Sequence, residues 1–279
     1  MNKEIHLYLK GGLGNQLFQT AYALSLSKNL GSRLTVDNVS GFRLDTTYNR
    51  TFELDSFFEM HEIGHEKWVL LKRLWNRYPK VKYLARLLGL NVVSDSFIGN
   101  FQAPYIIIDG YFQSESYFYD NRMVLAEKLK RMLPNLEKSK VKEYISVGIR
   151  LYEETENPTQ YSRSGIPFDF QSFLSAIVDE NPAKTIKVFT FSVSQALIQF
   201  CKRHNIDIVE GKNSSLSTWE TLEIFGLGEK LYFNNSTFYW WGAWASDLIL
   251  ERNGSGIKVY DDFLATDTVP KRWSKIDCR

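Results

Sequence analysis

Two Rossmann-like α/β domains facing a cleft are the architecture this sequence predicts, and three observations lead there. Short apolar runs alternate with helix-like segments from end to end, the pattern of parallel sheets with crossover helices. The alternation pauses at "MLPNLEKSKVKEY", where Pro134 and a charged run separate a helix-like segment from a fresh strand. A chain of 279 residues with 44% hydrophobic content has apolar material for a core in each half.

The first domain, residues 1–137, opens with an apolar strand at Ile5 to Leu9. The glycine loop "GGLGNQ" follows, and from Leu17 to Leu30 apolar residues recur at helical spacing. "RLTVDN" supplies a second strand, Leu34 to Asp37, and Tyr105 to Asp109 a third. A helix is predicted from Asn121 to Leu133. In the second domain, residues 138–279, strands are predicted at Ile145 to Ile149, Lys187 to Phe191, Ile206 to Val209 and Lys230 to Phe233. No internal repeat recurs at a fixed period. Ligands of open parallel sheets bind at the carboxyl ends of the strands, and the unusual loops fall there.

A formal net charge of +2 argues against nucleic acid as a partner. Cys201 and Cys278 are too few and too far apart for a disulfide framework or a zinc site, so both are read as reduced thiols. "MNKEIHLYL" is too short in its apolar part for a signal peptide. No run approaches the roughly 20 apolar residues of a membrane span. The expectation is a cytoplasmic protein. Glu66 to Val93 is locally basic and places Trp68, Leu71, Trp75 and Tyr78 at helical spacing, so it reads as an amphipathic helix interrupted at Pro79. Its aromatic face packs on the first domain in one reading. In the other it makes a peripheral contact with the inner face of a membrane, reaching lipid-linked acceptors.

"GGLGNQ" between a strand and a helix first suggests a dinucleotide, and Asp37 lies about where the acid of that fingerprint belongs. The third glycine of the fingerprint is Leu17, however, and Asn15 and Gln16 follow Gly14. Two amides are aimed where a pyrophosphate-binding helix offers only backbone, so the fingerprint is set aside. In the second half, "LYFNNSTFYWWGAWASDLIL" runs from a strand through Asn234, Asn235, Ser236 and Thr237 into an apolar helix. These are N-cap residues, and the helix end they open is a natural anion site. Trp240, Trp241 and Trp244 read as core. Arg150 directly follows the strand in "ISVGIRLYEE", where a guanidinium can fork onto phosphate. A strand-end arginine and an N-cap anion site in one domain suit a diphosphate together.

"GGLGNQLFQTAYALSLSKNL", "DGYFQSESYF" and "NNSTFYWWGAW", in this order and spacing, with the ending "VPKRWS", closely resemble the bacterial α-1,2-fucosyltransferases. That family carries GGLGNQ-[LM]-FQ-Y-A, GYWQSEKYF, NSSFSWWGAWL and PKRWF. The resemblance implies a two-domain GT-B-like architecture. It also implies GDP-β-L-fucose held mainly by the C-terminal half, and transfer to a sugar hydroxyl with inversion and without a metal. Gly12, Gly14, Asn15 and Gln16 would then line the cleft beside the transferred sugar and the acceptor, with Gln113 of "GYFQS" near them. Asn235, Ser236 and Thr237 would bind phosphate oxygens.

The chain departs from the family at two donor motifs. V-H-I-R-R-G-D becomes Val147, Gly148, Ile149, Arg150, Leu151, Tyr152 and Glu153. The first arginine survives, the histidine and second arginine are lost, Glu153 preserves charge, and Gly148 is expected to leave room. F-S-D-D becomes Phe191, Ser192, Val193 and Ser194, without either acid, while Glu220 in "STWETLEIF" matches a family acidic position. Catalytic roles fall to Arg150, Asn15 and Glu153, with Asp109, Glu115 and Glu154 further candidates for the base. The alternatives are transfer of a different sugar or nucleotide by the same fold, and a non-catalytic glycan-binding relative.

Overall fold

The computed structural model describes residues 3–46, 48–58, 63–64, 90–95, 101, 103–138, 140–152, 157–211 and 215–276. The chain forms two compact units, Met1–Leu125 and Ala126–Arg279.

Unit 1 is a five-stranded parallel sheet. Its strands are β1 (Glu4–Tyr8), β2 (Arg33–Asp37), β3 (Ile63–Gly64), β4 (Leu90–Val93) and β5 (Tyr105–Ile108), in the order β3-β2-β1-β5-β4. Ile5, Leu7 and Ile106 to Ile108 are buried, as strands covered on both faces require. Helix α1 (Leu13–Leu30) follows β1 and stops at Gly31, whose φ of 57° returns its N–H to the carbonyls of Lys28 and Ser27. The short helix α2 (Ser40–Arg43) starts beyond β2, where Asp37 Oδ1 accepts from the N–H groups of Val39 and Ser40. Asp37 is thus buried and turned inward, consistent with the rejected dinucleotide fingerprint.

Residues 65–89, most of the basic amphipathic stretch, lie outside the described residues. Its last four positions, Leu90–Val93, are strand and not helix: Asn91 pairs with Ile106 and Val93 with Ile108. Helical spacing of the upstream apolar residues carried the helix too far, and tertiary pairing of a β-branched end overrides it. Among the described residues no helix is long and apolar enough to cross a membrane.

Helix α3 (Arg122–Met132) spans the division between the units, and α4 (Pro134–Lys138) belongs to the second. The stretch around Pro134, where the sequence suggests a linker, is packed. Leu133 and Leu136 are fully buried, and the buried Glu223 carboxylate accepts from the backbone N–H and side-chain amide of Asn135.

The strands of unit 2 are β6 (Lys142–Ile149), β7 (Thr185–Thr190), β8 (Asp207–Glu210), β9 (Gly228–Phe233), β10 (Ile257–Val259) and β11 (Ser274–Lys275). They form one parallel sheet in the order β11-β10-β9-β6-β7-β8. Its helices are α5 (Phe170–Glu180), α6 (Gln195–Arg203), α7 (Thr218–Gly226) and α8 (Thr237–Ile249). The side chains of Asp169, Ser194 and Ser217 cap α5, α6 and α7. Trp240, Trp241 and Trp244 of α8 are buried in the core, as expected.

The carboxylate of Asp247, 2% exposed, ties the C-terminal segment to α8. Oδ1 accepts from the N–H of Gly254 at 2.7 Å, and Oδ2 from Arg272 Nε at 2.5 Å and Trp273 Nε1 at 2.8 Å. Removing one partner of such a buried charged cluster costs about 3–5 kcal/mol. Asp247→Ala is therefore expected to lower stability by that order and Asp247→Asn by less, as read from urea unfolding midpoints.

Candidate functional site

Each sheet has a topological switch point. In unit 1 the chain builds outward from β1 to β2 and β3, then returns with β4 and β5 on the other side, so a crevice opens beyond the ends of β1 and β5. In unit 2 the same reversal falls between β6 and β9. "GGLGNQ" and "DGYFQS" occupy the first position; Arg150 and "NNST" occupy the second.

In unit 1, two glutamines of α1 fasten the glycine loop. Gln16 Nε2 donates to the carbonyls of Gly11 and Thr51, both at 2.8 Å, and its Oε1 accepts from the N–H of Glu53 at 3.0 Å. Gln19 Nε2 donates to the carbonyls of Lys10 and Asn15, and its Oε1 accepts from the N–H of Lys10. Both side chains are fully buried, and every polar handle goes to backbone. Gln16, expected among the ligand-facing amides, instead shapes the loop from inside. Gln19 was not singled out by sequence reasoning, although a glutamine among the apolar residues of α1 is a usable signal. Asn15 and Gln113 meet across the switch point, Gln113 Nε2 donating to Asn15 Oδ1 at 2.9 Å. Gly12 is the N-cap of α1 and supplies no side-chain cap, and Gly14 lies buried in the first turn.

Asp109 stands at the end of β5 in an ion pair with Lys10, Nζ to Oδ1 2.8 Å. Burial pulls the Lys10 pKa down, but the Asp109 charge and hydrogen bond outweigh it and leave the amine above its ordinary value. Asp109 is thereby committed to a structural pair. Glu115 is buried in a short 3-10 turn, and Glu153 and Glu154 lie outside the described residues.

In unit 2, Asn234 joins the ends of β6 and β9. Its Oδ1 accepts from the N–H of Arg150 at 3.0 Å and its Nδ2 donates to the Arg150 carbonyl at 2.7 Å, a side chain imitating a sheet partner. The Arg150 guanidinium lies 5.0 Å from the ring centroid of Tyr152 and 5.3 Å from that of Phe191. Tyr152 has a φ of 58°, where a bulky residue is strained. It is pinned by a hydrogen bond from its hydroxyl to the Asn235 carbonyl at 2.9 Å. Burial pushes its phenol up to about 12, so it remains a neutral donor at physiological pH. Asn235 Nδ2 donates to the Tyr161 carbonyl at 2.9 Å. Ser236 is the N-cap of α8 and makes no side-chain capping bond, and Thr237 opens the helix. Unlike α5 to α7, α8 therefore presents its N-terminal N–H groups without a side-chain cap.

A pocket of about 200 Å³ adjoins these loops, bordered by Leu151, Tyr152, Phe168, Asn235, Tyr260 and Asp262. Among the described residues no lysine or arginine lines it. The Asp262 carboxylate is engaged with the hydroxyls of Ser162 and Ser164.

Three sequence expectations change here. Gly148 does not leave room, because a Cβ at that position would come within 2.3 Å of Tyr239 Cγ. Tyr239 stands where the resembled motif NSSFSWWGAW has serine, and its ring lies against the Gly148 backbone. Glu220 belongs to a capping box, accepting from the N–H of Ser217 at 2.7 Å. That bond holds its carboxyl below the usual range, and the spacing S-x-x-E in "STWE" was a legible signal for it. Ser194 caps α6 through its hydroxyl, and Ser192 accepts a hydrogen bond from Thr190 on its carbonyl.

Two parallel α/β units, each with its distinctive loops at the switch point, make this a GT-B-like fold, as the sequence predicts. No family profile matches the chain. Among known sequences it is 24% identical over 302 aligned positions to the alpha-1,2-colitosyltransferase of Escherichia coli, covering 96% of this chain and 97% of that protein. It is also 28% identical to the O-antigen biosynthesis glycosyltransferase WbnK of Escherichia coli, covering 85% of this chain and 88% of that protein. Among solved structures, a variant of Arabidopsis thaliana FUT1 in complex with GDP superposes with a TM-score of 0.50 at 12% identity, covering 93% of this chain and 70% of the other.

The fit between Gly148 and Tyr239 yields a direct test. Gly148→Ala forces a methyl against a buried ring and is expected to destabilise by about 1–3 kcal/mol. Tyr239→Ala opens a cavity of its own. The double variant should be more stable than the sum of the two losses, measured as a thermodynamic cycle by chemical denaturation.

Proposed function

We propose that the chain is an inverting glycosyltransferase of the α-1,2-fucosyltransferase kind, moving L-fucose from GDP-β-L-fucose to a sugar hydroxyl in the building of a glycan in the cytoplasm. The observation that carries this reading is the convergence of Arg150, fixed by Asn234, and the α8 N-terminus, open at Ser236, on one switch point. A guanidinium and backbone N–H groups are the donors a departing diphosphate needs. The names of both relatives, a colitosyltransferase and an O-antigen glycosyltransferase, support the same class of chemistry.

The charged part of the donor lies against Arg150 and the first turn of α8. An uncharged part enters the neighbouring pocket, whose lining carries no cation among the described residues. The leaving diphosphate gains negative charge as the glycosidic bond breaks, and Arg150 stabilises it without taking up a proton. The acceptor hydroxyl attacks from the opposite face, which inverts the anomeric centre, as its proton passes to a carboxylate base, the role the sequence assigns to Glu153. Asn15 and Gln113 orient hydroxyls of the sugars.

A second reading is favoured by the altered donor motifs. With Gly148 against Tyr239, and Leu151 lining the pocket, the sugar or the nucleotide differs from GDP-fucose, as the colitosyltransferase relative suggests.

Arg150→Ala is expected to reduce kcat/KM by about 100- to 1,000-fold with the fold intact, the range for losing one preorganised donor to a developing oxyanion. Arg150→Lys should recover only part, because an ammonium keeps the charge without the fork. Near-native turnover of Arg150→Ala removes it from the mechanism. Arginine and a helix terminus in the phosphate role also lead us to expect full activity in EDTA, and loss restored by Mg²⁺ or Mn²⁺ would contradict that assignment. Thermal-shift measurements with GDP, UDP, dTDP and CMP separate the two readings, since a ligand of the folded state alone raises Tm. No stabilisation by any nucleotide favours a non-catalytic glycan-binding protein.

A further inference from the structure

The turn after β5 is over-determined for a short surface loop. Asp95 accepts from the N–H of Tyr111 at 2.7 Å with one carboxylate oxygen and from the N–H of Phe112 with the other. A Cβ on residue 110 would lie 2.8 Å from the Asp95 backbone nitrogen and 2.9 Å from Phe112 Cε2, so only glycine fits between them. Phe112 takes a φ of 51°, unusual for a bulky residue, and its buried ring stacks on Tyr22 with centroids 4.1 Å apart. Strain held this firmly is typical of segments that present something.

What the turn presents is the ring of Tyr111, 37% exposed and three residues beyond the end of the buried strand β5. Lys10 Nζ, itself held by Asp109, stands 5.0 Å from the ring centroid, so the ring adjoins the glycine loop. Gln113, two residues on, meets Asn15 of that loop. Their mutual hydrogen bond uses Gln113 Nε2 and Asn15 Oδ1. It leaves the opposite handles, Asn15 Nδ2 and Gln113 Oε1, as one donor and one acceptor at the same strand ends. An exposed aromatic surface beside an unspent donor and acceptor is what a pyranose requires. Its C–H face packs on the ring while adjacent hydroxyls accept from one amide and donate to the other.

We propose that Tyr111 is the stacking platform for the acceptor sugar, with Asn15 Nδ2 and Gln113 Oε1 reading two of its hydroxyls. The inference rests on the glycosyltransferase reading for the name "acceptor", but the binding surface itself lies wholly within unit 1.

Saturation-transfer-difference NMR with methyl β-D-galactopyranoside, on the full chain without nucleotide, tests it. Saturation of the sugar ring protons is expected in the native chain and in Tyr111→Trp. It should fall at least fivefold in Tyr111→Ala and Tyr111→Leu, the latter keeping apolar bulk without a π face. In turnover assays the same two variants should raise the acceptor KM at least tenfold with the donor KM and the GDP-induced Tm shift unchanged. Equal saturation in native chain and Tyr111→Ala, or none in the native chain, overturns the platform. Absence of any nucleotide-induced stabilisation would instead count against the glycosyltransferase reading.

Discussion

The carboxamide of Asn234 is the constraint on which the second unit's site depends. Parallel strands end in unpaired backbone groups, and at the switch between β6 and β9 the chain diverges in two directions. Asn234 spans the gap by bonding both the N–H and the carbonyl of Arg150. The first residue beyond β6 is thus held as firmly as one inside the sheet. With its backbone fixed and its guanidinium set between the rings of Tyr152 and Phe191, Arg150 would lose less freedom in the proposed phosphate contact than an arginine on a loose loop. The same Asn234 precedes α8, so strand end and helix start are set by one side chain. The first unit solves the equivalent problem from the helix side, where Gln16 and Gln19, one turn apart on α1, hold the loop that returns from β1.

These side chains explain how far the sequence could be read. Alternation of apolar runs located the long strands because β1, β5, β6, β7 and β9 each carry a largely apolar run in their buried carboxyl-terminal part. The short strands β3, β10 and β11 carry too few residues for a period to register, and β4 was absorbed into a neighbouring helical pattern. Arg150, Asn15 and Gln113 were legible because strand-end polar residues stand out against apolar neighbours. The roles of Gln16 and Glu220 were not, because an amide or carboxylate bonded to backbone reads the same in sequence as one facing a ligand. Asn234 was visible in the motif, but its task depends on β6 and β9 being neighbours, which only the sheet order discloses.

The altered donor motif has a coherent physical form. At Gly148, where the resembled motif has histidine, the ring of Tyr239 lies against the backbone. At Tyr152, the position of the resembled motif's glycine, the backbone keeps the left-handed conformation that glycine favours. That strain is offset by a hydrogen bond to Asn235 and by ring contacts with Arg150 and Tyr161. The two sites thus place aromatic rings against backbone, Tyr239 on Gly148 and Tyr152 on the Asn235 carbonyl. A site merely decaying would leave cavities and unpinned loops instead of complementary pairs.

The electrostatic consequence runs in two directions. Losing a second guanidinium removes attraction for a diphosphate at long range, which slows capture at low ionic strength. The rings of Tyr152 and Phe191 beside the remaining guanidinium displace part of its water, so a phosphate bound there as proposed would be held through a lower local dielectric than in bulk water. Burial also holds the phenols of Tyr152 and Tyr239 above their ordinary range, with Arg150 opposing the shift in both. They therefore stay neutral at physiological pH and add no negative charge beside the guanidinium. In the proposed transfer, an arginine set between aromatic rings and an uncapped helix terminus would act most on charge that develops at the leaving oxygen, which accelerates transfer more than it tightens ground-state binding.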